Sequence, residues 1–77
     1  MSANLLALLG RFVGQRVELE LKDGRVVRGR LSGHDEHMNV VVEEAEEQGP
    51  TMTRHLGTLI VRGSNVASVY APGGPRP

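Results

Sequence analysis

The run His34-Asp35-Glu36-His37-Met38-Asn39 places four ionisable side chains side by side ahead of an apolar stretch, Val40-Val41-Val42. Three chemistries can be weighed for it. A metal centre needs several ligands converging on one ion. Neighbours in extended chain point to opposite sides, so His34 with Glu36, or Asp35 with His37, supplies only a pair, and a third ligand such as His55 would have to come from elsewhere. No metal site is expected on this ground. An acid–base centre needs a reacting partner, yet no Ser, Thr or Cys stands in a nucleophile motif and no phosphate-cradling glycine loop is present. The sequence therefore does not read as an enzyme, and no cofactor is implied. The third chemistry is recognition of a nucleobase. His37 offers a flat ring for stacking, and Asn39 carries a donor and an acceptor on one amide, matching the alternating groups on the edge of uracil. Asp35 can fix the position of Asn39. The same side chains, with Arg62, could instead do no more than brace neighbouring loops, although bracing is what a preorganised pocket requires.

Such a loop needs a scaffold, and 77 residues give one small domain near the lower limit for a self-sufficient core. Without cysteine there is neither disulfide nor thiolate zinc site, and Phe12 and Tyr70 are the only aromatics, so the core must be aliphatic. Association with further copies is a natural route to stability for such a chain. Nine Lys and Arg balance nine Asp and Glu, which argues against coating nucleic acid by bulk charge while leaving a local basic site open. Arg25, Arg28 and Arg30 form one cluster and Glu43, Glu44, Glu46 and Glu47 another. The acidic run is expected to be a solvated face. The arginines are expected to pair with Glu18 and Glu20 or, less simply, to form a second RNA surface. No apolar stretch approaches the ~20 residues of a membrane span, and Leu5 to Leu9 lacks the preceding basic residues of a secretory leader, so a cytoplasmic protein is expected.

Residues 3–10 predict a short helix, with Ser2 as N-cap, Gly10 as terminator and Leu5, Leu8, Leu9 and Phe12 on one face. Val17-Glu18-Leu19-Glu20-Leu21 alternates as a strand with its Val and Leu inward. Asp23-Gly24 signals a hairpin turn, Val26 to Leu31 the returning strand, and Gly29 a sharp bend within it. A third strand is expected over Asn39 to Glu43, a polar connection over Glu44 to Thr51, a fourth strand over Thr53 to Val61, a tight turn at Arg62-Gly63-Ser64 and a fifth strand over Asn65 to Tyr70. Residues 72–77 are expected to be a flexible tail. The fold class is mainly β: a short N-terminal helix, then a strongly bent five-stranded antiparallel meander curling into a small SH3-like barrel, as a single domain over 1–71. Leu59-Ile60-Val61 is apolar on both faces and calls for cover, which a strand of a neighbouring copy would supply.

With these elements in order, the sequence resembles the Sm and Sm-like RNA-binding proteins over roughly residues 4–71. The first Sm signature is similar to residues 17–47, VELELKDGRVVRGRLSGHDEHMNVVVEEAEE, and the second to residues 56–69, LGTLIVRGSNVASV. The short Glu-rich connection is most like that of archaeal members. The resemblance implies the Sm fold, with strand four of one subunit joined to strand five of the next in a homo-oligomeric ring, usually a heptamer in archaeal relatives. It also implies binding of uridine-rich single-stranded RNA around the pore, one nucleotide per subunit, in RNA processing or ribonucleoprotein assembly. Carried onto this chain, His37 and Asn39 hold the base and Arg62 completes the slot. A guanidinium there can stack on the base and offset phosphate charge. Gly63 leaves room for the nucleotide backbone, Asp35 supports Asn39, Asn65 caps the Arg62-Gly63 turn and Met38 turns into packing. The chain departs from the family at His34, where an aromatic is usual, and at Ser64, where an acidic residue is frequent. The alternative reading is a ring that scaffolds other proteins, with RNA binding incidental.

Overall fold

The computed structural model describes residues 2–71, with side chains from residue 6 onward, so the tail expected over 72–77 and the side chain of Ser2 lie outside it. The elements run α1 (Ser2–Arg11), β1 (Arg16–Leu21), β2 (Val26–His34), β3 (Val40–Gln48), β4 (Thr53–Val61), a single 3-10 turn (Gly63–Asn65) and β5 (Val66–Tyr70). The helix passes through Gly10 and ends one residue later. The chain leaves it by tighter bonds from Phe12 N–H to the Leu9 carbonyl and from Val13 N–H to that of Gly10. Gly14, at φ +90°, then makes the reversal. Its N–H donates to the Leu31 carbonyl at 2.8 Å, and Leu31 N–H donates to the Gln15 carbonyl at 2.9 Å, which fixes the helix to the middle of β2.

All five strands are antiparallel in the order β4-β3-β2-β1-β5. The first four form the expected meander. β5 does not pair with β4; it crosses to β1, with Leu19 opposite Val69 and Glu18 opposite Tyr70. β4 and β5 are therefore the two ends of the sheet, and each has one side unpaired within the chain. Alternation in β1 places Val17, Leu19 and Leu21 in the core with Val27, Leu31, Val40, Val42, Ala45, Val61 and Leu9. Each fully buried Val or Leu contributes about 1.5–3 kcal/mol.

The bend falls where Gly29 implies it. A Cβ there would stand 2.5 Å from Val42 Cγ1 and 2.8 Å from the Glu43 carbonyl oxygen, so β3 crosses β2 at a distance no larger residue permits. β3 itself runs to Gln48, five residues past its expected end at Glu43. The Glu-rich stretch reads as a connection in the sequence because glutamate disfavours strands. Two devices override this. Glu44 takes φ 53°, bulging the strand out of register between Val42 and Ala45, and the other glutamates face basic side chains on neighbouring segments. Glu43 meets Arg30 at 2.6 Å, Glu46 meets His55 at 3.3 Å, and Glu47 lies 3.8 Å from Arg54 and 3.9 Å from Arg25. Arg28 pairs with Glu18 at 2.9 Å as expected, whereas Glu20 accepts from the Ser68 hydroxyl. Such exposed pairs contribute only ~0–1 kcal/mol each. Their larger consequence is that Arg25, Arg28, Arg30 and Arg54 are neutralised in place. Among the described residues no helix is long and apolar enough to cross a membrane.

Candidate functional site

The HDEHMN run straddles the turn between β2 and β3, and Arg62-Gly63 straddles that between β4 and β5. Because Val40 lies opposite Val61 in the β3–β4 register, Asn39 and Arg62, 23 residues apart in sequence, stand at the same end of the barrel.

Asp35 organises the first turn. One carboxylate oxygen accepts the backbone N–H groups of His37 at 2.9 Å and Asn39 at 3.0 Å, and the other accepts from the Asn39 side-chain amide at 2.9 Å. The backbone closes the loop, with Met38 N–H donating to the Asp35 carbonyl and Asp35 N–H to the Asn39 carbonyl. The tight path puts Met38 at φ 63°, uncommon for any residue but glycine, and its side chain packs half-buried against the core. Asn39 then reaches across to the second turn: its Oδ1 accepts the Gly63 N–H at 2.7 Å. The chain Asp35–Asn39–Gly63 thus joins the two signature segments.

Gly63 is also required by the protein's own packing. An added Cβ would run into the His37 carbonyl oxygen and lie 2.9 Å from that of Met38. The Asn65 side chain, expected to cap the turn, makes no hydrogen bond among the described residues. The turn is closed by backbone, with Asn65 N–H donating to the Arg62 carbonyl at 2.9 Å and Lys22 N–H to the Asn65 carbonyl at 2.8 Å. The Lys22 bond was not legible in the sequence, because a backbone bond between distant turns leaves no residue-type signature.

His37 is exposed, with a Glu36 carboxylate oxygen 3.9 Å from its Nε2. Arg62 is exposed, and among the described residues it has no ion pair, unlike the four arginines held by carboxylates. No three His, Asp or Glu side chains gather closely enough for a metal among the described residues. His55 sits beside Glu46 well along β4, away from the loop.

The Asn39 amide holds the Asp35 carboxyl below its ordinary value of 3.8, helped by the two backbone N–H groups. A lowered folded-state value means that the brace is intact above the ordinary carboxylate range and is lost as pH falls through the depressed value. The Gly63 amide proton resonance is therefore expected to show an acid step below the ordinary carboxylate range, as Asp35 takes up its proton. Asp35→Asn should abolish that acid step, as read by NMR titration.

Comparison with known proteins agrees with this architecture. The LSM domain model matches residues 7–71. A relative from Archaeoglobus fulgidus, named as an snRNP Sm-like protein, is 44% identical over 71 residues, covering 90% of this chain and 92% of the relative. Among solved structures, the P. aerophilum SmAP1 heptamer superimposes with TM-score 0.85 at 35% identity, covering 92% of this chain and 96% of that one. The Sm protein of Pyrococcus abyssi, solved in complex with a uridine heptamer, does so with TM-score 0.79 at 34% identity, covering 86% and 94%. The barrel with its N-terminal helix is the Sm fold. The chain belongs to the LSM family of Sm-like proteins.

Proposed function

We propose that this chain forms a homo-oligomeric ring, a heptamer like the neighbours named above, in which the β4 edge of one subunit pairs with the β5 edge of the next. The ring binds uridine-rich single-stranded RNA at its pore, one nucleotide per subunit. His37 stacks on the base, Asn39 reads its edge, Arg62 covers the other face, and Gly63 and Asp35 hold the amide in place. The protein acts by binding rather than by catalysis, in RNA processing or ribonucleoprotein assembly in the cytoplasm.

The observation that carries this reading is the orientation of the Asn39 amide. A carboxylate only accepts, so the NH2 group must face Asp35; a backbone N–H only donates, so the oxygen must face Gly63. Each end of the amide keeps one further site, an N–H and a lone pair, in a fixed order. Uracil offers an acceptor carbonyl beside the N3–H donor and complements that order. Cytosine reverses it at these two positions, and the amide cannot turn over to follow without breaking both bonds. A single stacked base contributes ~1–3 kcal/mol, and identical slots engaged by one connected strand reinforce one another through effective concentration.

Titrating labelled oligo-uridine and oligo-cytidine against the intact protein tests this. Uridine is expected to bind at least ~10-fold more tightly, the equivalent of ~1.4 kcal/mol. Equal binding of both oligomers would favour the scaffold reading instead.

A further inference from the structure

A mainly apolar cavity of about 360 Å3 adjoins the base slot, lined by Leu8, Leu9 and Phe12 of α1, Met38 and Gly63 of the two slot turns, and the start of β5. Met38 belongs to both. It stands between His37 and Asn39 with φ 63°, and its side chain is half-buried against the core. A left-handed residue other than glycine persists only where its surroundings fix it, and this cavity wall is part of those surroundings. Gly63, whose N–H holds the Asn39 amide oxygen at 2.7 Å, lies so close that an added Cβ would stand 2.9 Å from the Met38 carbonyl oxygen. The seating of Met38 therefore sets where His37 and Asn39 stand. The cavity borders the unpaired edge of β5, and Leu8 in its wall is 47% exposed. The opposite end of the sheet carries a matching feature, Ile60, 70% exposed on β4. β4 ends and β5 begins on either side of the same turn. With those edges joined in a ring, rotation about the ring axis sets the last residues of one subunit's β4, Ile60 among them, beside the first residues of the next subunit's β5. A head-to-tail contact needs two complementary surfaces on each subunit, and the cavity and Ile60 are such a pair.

We infer that each base slot is completed by the adjacent subunit: Ile60 of one copy fills the cavity beside Met38 of the next, and Met38 is the positioning residue that passes this support to His37 and Asn39. This rests on the ring and slot given under Proposed function and adds that the two are coupled. A lone subunit has the residues of the slot without the packing that fixes them. By linkage, base binding and ring closure strengthen each other by the same factor. The effect is separate from avidity, which multiplies slots without changing any one of them.

Uridine monophosphate isolates this coupling, because it engages one slot and gains nothing from connection. Its binding is measured by equilibrium dialysis of labelled nucleotide against the unmodified protein, Ile60→Asp, Met38→Ala and Met38→Leu, with assembly read by native mass spectrometry. The Ile60→Asp lone subunit is expected to bind the mononucleotide more weakly by about 5-fold to 150-fold, the usual span of coupling between two sites. Met38→Ala should weaken binding even where it is assembled, and Met38→Leu, an apolar side chain of similar volume, should restore it. Hydrogen exchange gives a second reading without ligand: the Gly63 amide should exchange faster in Ile60→Asp than in the ring, relative to the Leu31 amide, which is bonded to the Gln15 carbonyl within the barrel. Equal mononucleotide affinity, or equal relative exchange, in the lone subunit and the ring would overturn the inference and leave the base slot standing. So would a ring that survives Ile60→Asp. Failure of the unmodified ring to bind either the mononucleotide or oligo-uridine would remove the slot itself.

Discussion

Asn39→Asp is expected to abolish selective binding of oligo-uridine. The change is nearly isosteric, so volume does not decide the outcome; hydrogen-bond polarity does. A carboxylate at 39 has no N–H for Asp35 and none for the base, and it sets a second negative charge against Asp35 Oδ2, the present partner of Asn39 Nδ2 at 2.9 Å. Two carboxylates at such a distance repel, which weakens the brace on the first turn. A bidentate edge interaction is worth about 1–3 kcal/mol, so a strand engaging only two slots loses roughly 2–6 kcal/mol, at least about 30-fold in affinity. The Gly63 N–H can still be accepted, so the turn should persist. Measurement by fluorescence anisotropy should show this loss at pH 7. Retained uridine selectivity in Asn39→Asp would mean that the amide does not read the base.

Ile60→Asp is expected to disrupt the ring. Ile60 is 70% exposed on β4, which forms one end of the sheet, and in the proposed ring this nine-residue edge strand is the surface that β5 of the next subunit covers. Its register partner is Val41 on β3, so the substitution adds a charge to the edge without opening the core that Leu59 and Val61 flank. The isolated barrel should keep its secondary structure. Loss of connected slots should lower oligo-uridine affinity by about 100-fold to 10,000-fold even with His37, Asn39 and Arg62 intact. Native mass spectrometry reads the assembly and anisotropy the binding. A variant that remains a full ring would show that the seam lies elsewhere.

Much of the fold was legible in the residues. The alternation of Val17, Leu19 and Leu21, the Asp23-Gly24 hairpin and the bend at Gly29 each have a local cause, and each appears in the barrel. So does the pairing of Asp35 with Asn39, whose side chains lie within one turn. The failures are non-local. β3 extends through Glu44–Gln48, where Arg25 from the β1–β2 turn and Arg54 and His55 from β4 arrive to meet Glu46 and Glu47. β5 leaves the meander for β1, a choice set by closure of the barrel and not by Val66–Tyr70 itself. Gly63 is small because the His37–Met38 peptide passes beside it, an approach between segments about 25 residues apart that only the closed barrel makes. Asn65 matters through its backbone, where side-chain identity carries no message.

In the proposed function self-association multiplies one weak nucleobase slot, and native mass spectrometry of the unmodified protein with and without oligo-uridine tests this most directly. The predicted result is a single closed ring, seven subunits in mass, that takes up one uridine strand. A protein that stays a lone subunit at every concentration, with or without RNA, would contradict it.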